Sequence, residues 1–172
     1  VRRAHANGDI YLGTYEGWYC PNEGFRNATD VTETARGTIC PNHPDVPLQW
    51  LTERNWFFRL SRYEQRLREH FSANPNFLLP PSRRNEILAL LDSGLEDISV
   101  SRARLSWAIP FPRPTSDGEE QGTWVWFDAL PNYWTATLEP ASGAEWPAQL
   151  HVIGKDITRF HCVIWPAMLE AA

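Results

Sequence analysis

Apolar and polar positions alternate along the first third of the chain in a way that predicts β-strands. Residues 9–20 are rich in aromatic and β-favouring side chains with two glycines among them, which predicts strands with a bend. Residues 48–58 have the same character. Residues 21–47 are rich in Pro, Asn, Asp and Thr without a sustained period, which predicts a loop with short turns. Another short strand is predicted at 98–103, where the alternation returns.

Two helices are predicted between the second and the last of these strands. The first contains four apolar residues at helical spacing: Leu60, Tyr63, Leu67 and Phe71. It is predicted to end at Asn74, which a proline follows. The second helix covers about 82–91 and is predicted to end at Gly94, because glycine is common just after the last turn of a helix.

The last part of the chain has the pattern of an α/β protein. Residues 123–127 form a nearly continuous apolar run, as expected for a strand buried on both faces of a parallel sheet. A helix is predicted over 128–138 and a second buried strand at 150–153. A final helix is predicted over 157–171, bent at Pro166 because proline interrupts helical hydrogen bonding. Strand, helix, strand and helix in about 50 residues predict the α/β class.

A proline-rich, acidic segment at 110–121 separates the two patterns, and a domain boundary is predicted at its end. The chain would then consist of residues 1–121 and residues 122–172. It begins at Val1 rather than Met, and it ends at Ala172 without a residue that typically ends a helix. We therefore expect an internal piece of a longer protein.

Composition and charge exclude several classes of protein. The 172 residues are 42% apolar and 22% charged, which excludes wholesale disorder and collagen-like or coiled-coil repeats. No apolar stretch approaches the roughly 18 residues of a membrane helix. A net charge of −5 argues against bulk electrostatic binding to nucleic acid. Fifteen of the sixteen basic residues are Arg, which makes Lys155 a candidate for a task that suits a compact ammonium group.

The predicted strand, turn and helix at 152–161 form the first candidate site. In an open parallel sheet, ligands bind at the carboxyl ends of strands, beside the next helix. Gly154 permits close approach of a ligand, Lys155 can meet a phosphate, and Asp156 can cap the helix or accept a hydrogen bond from a ribose hydroxyl. His161 follows on the helix. A capped helix with a histidine facing the core is the alternative, and the glycine spacing excludes a P-loop.

A second candidate site follows the predicted strand at 123–127. Four residues there would line an apolar recess with a single hydroxyl group: Trp126, Ala129, Leu130 and Tyr133. Such a recess suits an unbranched apolar ligand. Ordinary core packing is the alternative interpretation of the same residues.

Two short motifs predict a candidate metal centre. Cys20 and Glu23 are separated by two residues, as are Cys40 and His43, and about 16 residues lie between the two pairs. The arrangement is similar to a pair of zinc knuckles, but Glu23 stands where a softer ligand is usual. Metal binding and knuckles held by packing alone are both open, and we expect no tightly held zinc.

Eight ordered motifs resemble those of the methionyl-tRNA synthetases, a family of class I aminoacyl-tRNA synthetases. They are GDIYLGTYEGWYC (8–20), NWFFRLS (55–61), DISVSR (97–102), WAIP (107–110), VWFDAL (125–130), IGKDI (153–157), FH (160–161) and WPAML (165–169). The resemblance extends over essentially the whole chain.

The resemblance implies an α/β fold, part of a Rossmann-like class I synthetase catalytic domain with an inserted α+β connective-peptide subdomain. Residues 1–121 correspond to that insertion, with a zinc-knuckle-like region at about 18–45. Residues 122–172 correspond to the start of the second half of the catalytic domain. The family's two signature motifs that grip the ATP phosphates do not occur in this sequence.

The same resemblance implies a ligase activity for the complete protein, with an isolated chain that is inactive. Methionine would be activated by ATP, with Mg²⁺ as part of the substrate complex, and transferred to the 3′ end of tRNA(Met). The implied location is the cytoplasm, away from membranes. The alternative is a non-catalytic module, derived from a synthetase, that binds RNA or a partner protein.

The resemblance also implies roles for individual residues. Six residues are implied to line the methionine pocket: Trp126, Ala129, Leu130, Tyr133, Ile157 and His161. Gly154 and Asp156 are implied to meet the ribose of ATP, and Lys155 its phosphates. Arg102 is implied to order the carboxylate that holds the substrate ammonium. Four residues are implied to be metal ligands: Cys20, Glu23, Cys40 and His43.

Overall fold

The chain divides into two compact units. The computed structural model describes residues 1–172 except 21–23, 27–30, 36, 104, 106, 116–117, 140–142 and 144. The larger unit consists of Val1–Tyr11 and Trp56–Ala172, and the smaller unit is Leu12–Asn55. Within the described ranges, no helix has the length and apolar character needed to cross a membrane.

Nine strands occur among the described residues. They are β1 (Ile10–Cys20), β2 (Gly24–Arg26), β3 (Thr32–Thr34), β4 (Gly37–Cys40), β5 (His43–Pro47), β6 (Gln49–Phe58), β7 (Ile98–Ser99), β8 (Ser101–Arg102) and β9 (Gly122–Thr123). One sheet has the order β2-β1-β6-β7, a second has the order β3-β4-β5, and β8 pairs with β9. The strands predicted at 9–20 and 48–58 are confirmed as β1 and β6.

The loop predicted over 21–47 is wrong for most of the described residues in that range. The strands β2 to β5 lie there, and each has only three to five residues. Strands this short show too little alternation to be recognised in a sequence. Their antiparallel pairing stabilises them instead: Thr32 lies opposite Ile39 and Thr34 opposite Gly37, and the Thr34 hydroxyl donates to the Gly37 carbonyl at 2.8 Å.

Six α-helices are described in the larger unit. They are α1 (Arg2–Ala6), α2 (Glu64–Ala73), α3 (Pro81–Asp92), α4 (Val125–Ala129), α5 (Asn132–Thr135) and α6 (Trp165–Ala171). A 3₁₀ turn at Leu60–Tyr63 leads into α2, so both helices predicted in the middle of the chain are confirmed. Gly94, with φ of +88°, follows α3 in the left-handed conformation that glycine adopts without a steric penalty.

Burial of one helix face explains why the segment 60–73 is helical. The four residues predicted to form its apolar face are all buried in the main core: Leu60, Tyr63, Leu67 and Phe71. An isolated helix of this length is marginal in water. Each large apolar side chain contributes about 1.5–3 kcal/mol when buried, so packing on this core stabilises the helix.

The buried strand predicted at 123–127 is wrong beyond its first residue. β9 ends at Thr123, and the helix α4 begins at Val125, whose side chain is exposed. A strand needs neighbours for its backbone N–H and C=O groups: the Trp124 N–H still donates to the Val100 carbonyl at 2.9 Å, but no described strand pairs with 125–127. Hydrogen bonds within a helical turn satisfy these groups instead: the Phe127 N–H donates to the Trp124 carbonyl at 2.9 Å. The helix predicted over 128–138 is divided between α4, α5 and a 3₁₀ turn at Ala136–Leu138.

The strand predicted at 150–153 is also wrong, because these residues have no regular secondary structure. Leu150 is 78% exposed and Val152 is 88% exposed. An apolar run becomes a buried strand only where a sheet covers both of its faces. No described segment pairs with these residues.

The helix predicted over 157–171 forms as three consecutive pieces. They are a 3₁₀ turn at Lys155–Ile157, a π-helical turn at Phe160–Ile164, and α6. Pro166 lies in the first turn of α6, where its missing N–H is tolerated. The irregularity before it is the wider π turn rather than a simple bend, and such turns are frequent at functional sites.

Candidate active site

A hydrogen bond between Tyr133 and His161 forms the centre of the candidate active site. Tyr133 lies on α5, and His161 lies on the π-helical turn 28 residues later. The Tyr133 hydroxyl oxygen is 2.7 Å from Nε2 of His161. Nδ1 of the same ring is 3.0 Å from the carbonyl oxygen of Ile157, one helical turn earlier. The structure therefore brings together three of the predicted site residues.

These two contacts determine which atoms of His161 carry protons. A carbonyl oxygen only accepts hydrogen bonds, so Nδ1 must carry a hydrogen that it donates to Ile157. In the neutral imidazole, Nε2 is then unprotonated and accepts a hydrogen bond from the Tyr133 hydroxyl. His161 itself is buried.

An aromatic stack adjoins this hydrogen-bonded pair. The rings of Trp126 and Phe160 are nearly parallel, with centroids 4.0 Å apart, and Trp124 contacts the same Phe160 ring at 5.9 Å. Phe160 immediately precedes His161 on the π-helical turn. Residues of α4 and α5 thus contact the same short helical segment through Trp126 and Tyr133.

The remaining predicted pocket residues lie on the same elements. Leu130 directly follows α4 and is 1% exposed, and Ala129 and Ile157 are half-buried. Leu130 belongs to the main core, on which Trp126 and Tyr133 pack. The positions of Leu130, Trp126 and Tyr133 therefore fit the alternative of core packing.

The predicted nucleotide-binding residues form an exposed turn. Gly154 precedes the 3₁₀ turn at Lys155–Ile157, and Gly154, Lys155 and Asp156 are all exposed. Gly154 has an ordinary extended conformation, with φ of −69°. A Cβ atom at Gly154 would meet no other heavy atom within 4 Å. Neither the backbone conformation nor the surrounding protein therefore requires glycine at this position.

Arg102 lies at the edge of the aromatic stack. Its Nη1 donates to the carbonyl oxygens of Ser99 and Ser101 at 3.1 and 2.7 Å, and to the Ser99 hydroxyl at 2.8 Å. The guanidinium carbon is 5.8 Å from the centre of the Trp124 ring. Trp124 in turn contacts the Phe160 ring, and Phe160 stacks on Trp126.

A separate cluster in the smaller unit brings together three of the predicted metal ligands. Nδ1 of His43 is 4.0 Å from Sγ of Cys20 and 3.9 Å from Sγ of Cys40. All three donor atoms lie within 4.8 Å of one another. Tetrahedral zinc with ordinary bond lengths separates sulfur and nitrogen ligands by about 3.6 Å, so the cluster can hold a metal ion. Glu23, the fourth predicted ligand, lies outside the described residues.

Two residues of the site were not singled out from the sequence. Phe160 stacks on Trp126, and its position next to a candidate histidine was the available signal. His151 was assigned to a buried strand, yet its ring contacts Tyr133 at 4.5 Å. His151 is exposed, but the partial burial of its ring lowers its pKa, and the electrostatic interaction with His161 lowers it further.

Comparisons with known proteins identify the family of the chain. A family model described as tRNA synthetases class I (M) matches residues 27–172. The methionine–tRNA ligase of Thermosynechococcus vestitus is 48% identical over 180 residues, covering 99% of this chain and 33% of the relative. That of Nostoc sp. is 45% identical over 174 residues, covering 96% of this chain and 32% of the relative. The chain therefore spans about a third of the length of the curated relatives it matches.

Solved structures give the same result. The methionyl-tRNA synthetase of Mycobacterium tuberculosis in its apo form matches with a TM-score of 0.80 and 39% identity. The same enzyme bound by methionyl-adenylate matches with a TM-score of 0.79. Each match covers 99% of this chain and 34% of the solved one.

Proposed function

We propose that this chain, which belongs to the class I tRNA synthetases (M), forms part of a methionine–tRNA ligase. In this reaction the carboxylate of methionine attacks the α-phosphate of ATP, and pyrophosphate leaves. The methionyl group of the resulting adenylate then passes to the 3′-terminal ribose of tRNA(Met). The similarity to ligases does not favour the alternative of a non-catalytic binding module.

The observation that carries this proposal is the Tyr133–His161 hydrogen bond beside the stacked rings of Trp126 and Phe160. Methionine has an unbranched side chain with a polarizable thioether, which makes favourable contacts with aromatic rings. Trp126 and Tyr133 supply such rings, and Leu130, Ala129 and Ile157 supply apolar walls. A pocket with one fixed hydroxyl in apolar surroundings binds a thioether better than a charged or strongly polar side chain.

We assign the exposed turn at 154–156 to ATP. The open space at Gly154 allows a ribose to approach the backbone, and Asp156 accepts hydrogen bonds from ribose hydroxyls. Lys155, the single lysine of the sequence, places an ammonium group near the phosphates. Mg²⁺ bound to ATP neutralises phosphate charge, and the protein contributes mainly by orienting the two substrates. Arg102 orders the carboxylate that holds the methionine ammonium group.

Residues 1–121 are assigned to the connective-peptide insertion and residues 122–172 to the second half of the catalytic domain. In the smaller unit, Cys20, Cys40 and His43 are three ligands of a zinc site, and Glu23 is the fourth. A carboxylate in place of a thiolate weakens such a site, so we propose that zinc exchanges readily.

Kinetics of ATP–pyrophosphate exchange in the complete protein test this function. Replacing His161 by Ala removes the partner of the Tyr133 hydroxyl, so the KM for methionine should rise at least tenfold while the KM for ATP changes little. His70→Ala, on the exposed side of α2, is the control and should leave both constants unchanged. Equal effects of His161→Ala on both substrates, or no methionine-dependent exchange in the unaltered protein, would contradict the proposal.

A further inference from the structure

Three rings meet at the candidate methionine pocket, and one of them has no role so far. The Tyr133 ring lies between His161, at a centroid distance of 5.5 Å, and His151, at 4.5 Å. The planes of Tyr133 and His151 are inclined by 82°, which is an edge-to-face arrangement. The two imidazole centroids are 6.2 Å apart.

The contacts on Tyr133 restrict different motions of this side chain. A hydrogen bond to His161 holds the hydroxyl oxygen at 2.7 Å but leaves the ring able to turn about the axis through that oxygen. An edge-to-face contact depends on the angle between the two ring planes and so resists that rotation. Tyr133 is half-buried, and Trp165 is a more distant neighbour at 6.4 Å.

We infer that His151 is a positioning residue for methionine, because its ring fixes the plane of Tyr133 while His161 fixes the hydroxyl. This inference rests on the proposed function. Residues 150–153, which precede the ATP turn, would then help to form the methionine pocket. Methionine contacts Tyr133, and His151 acts only through that ring.

The charge state of the cluster is compatible with this role. Burial and the nearby His161 both lower the pKa of His151, so its ring is neutral at physiological pH. Tyr133 and His151 are titratable groups in ring contact with His161, and Lys155, Asp156 and Arg159 on the preceding turn are exposed. A neutral His151 leaves His161 free of charge repulsion and makes its own contact with Tyr133 through ring packing.

Two substitutions distinguish the packing of the His151 ring from the acid–base properties of its imidazole. His151→Ala removes the ring, and His151→Phe keeps an aromatic ring that cannot titrate. In the complete protein, His151→Ala should raise the KM for methionine between about twofold and tenfold, the size of an aromatic pair contact, and leave the KM for ATP unchanged. His151→Phe should restore most of the loss. The matched control is His70→Ala, which removes a similar edge-to-face contact, with Phe77 at 4.4 Å.

A wild-type KM in His151→Ala, or a defect in His151→Phe as large as in His151→Ala, would overturn the inference. A second measurement does not depend on activity. In NMR spectra the Tyr133 ring should flip slowly in the unaltered protein and in His151→Phe, and fast in His151→Ala, because the edge-to-face contact resists rotation about the axis through the hydroxyl oxygen. Equal flip rates in all three proteins would overturn the inference. Absence of methionine-dependent exchange in an unaltered protein that shows the expected NMR pattern would reject the proposed function and leave the positioning of Tyr133 supported.

Discussion

His161 makes two side-chain hydrogen bonds, and each uses a different ring nitrogen. The bond to the Ile157 carbonyl places a hydrogen on Nδ1, which leaves Nε2 to accept from Tyr133. A histidine held at both nitrogens has a fixed ring orientation, so the hydroxyl it binds is fixed as well. At the scale of single residues, the candidate pocket is therefore defined by partners that come from two separate helical segments.

Replacement by alanine should affect ATP binding at Gly154 and stability at Gly122. At Gly154 a Cβ meets no heavy atom within 4 Å, whereas at Gly122 it would lie 2.6 Å from Cβ of Ala108. Gly154→Ala should leave the melting temperature nearly unchanged and raise the KM for ATP between about tenfold and a hundredfold, because the methyl group displaces the nucleotide. Gly122→Ala should lower the free energy of unfolding by about 1–3 kcal/mol through overpacking. An unchanged KM for ATP in Gly154→Ala would contradict the nucleotide assignment.

Tyr63 should make the stability of the larger unit depend on alkaline pH. Burial and a hydrogen bond to Asp9 raise the pKa of Tyr63 to about 12. The raised pKa means that the folded state holds this proton more tightly than the unfolded chain, whose tyrosines titrate near pH 10. The free energy of unfolding should therefore fall by roughly 2–3 kcal/mol between pH 10 and pH 12. Urea unfolding at several pH values measures this fall, and Tyr63→Phe should remove it; the same slope in that variant would refute the assignment.

At the scale of elements, the helical segment 155–171 shows how one residue changes a whole turn. Pro166 has no N–H to donate, and its ring would crowd the carbonyl four residues earlier in a regular helix. The chain widens into the π turn at Phe160–Ile164 directly before α6. That turn carries both Phe160 and His161, so the irregular element is the one that contacts Trp126 and Tyr133.

The zinc site proposed for the smaller unit should hold zinc weakly, because the proposed ligand set contains the Glu23 carboxylate in place of a thiolate. After dialysis against a mild chelator, elemental analysis should find well under one zinc per chain. Glu23→Cys supplies a third thiolate and should retain zinc under the same conditions. Cys20→Ser should bind none in either background. One zinc per chain retained by the unaltered protein would show the site to be tight.

At the scale of the whole molecule, several large apolar side chains are exposed on segments that have a strand-like sequence. Val125, Leu150 and Val152 are 63%, 78% and 88% exposed. In a protein of the relatives' length, of which this chain covers about a third, other segments would be available to cover these side chains.

The 172-residue chain alone should therefore fail to catalyse methionine-dependent pyrophosphate exchange. The chain contains the residues proposed to bind methionine and ATP, but the sequence contains neither of the family's phosphate-gripping motifs. Purified chain and a complete relative, assayed side by side, give the comparison. A rate for the chain within about tenfold of the complete enzyme would contradict the expectation, since loss of phosphate contacts costs far more.

The sequence by itself determined the family, the long strands β1 and β6 and the two helices in the middle of the chain. These features depend on local patterns: period-2 alternation, helical spacing of apolar residues, and ordered motifs. The tertiary structure decided the state of 123–127 and 150–153, because an apolar run has no intrinsic preference for strand until a neighbour accepts its backbone hydrogen bonds. It also decided the ring contacts of Phe160 and His151, since such a contact depends on distances between segments that are far apart in the chain.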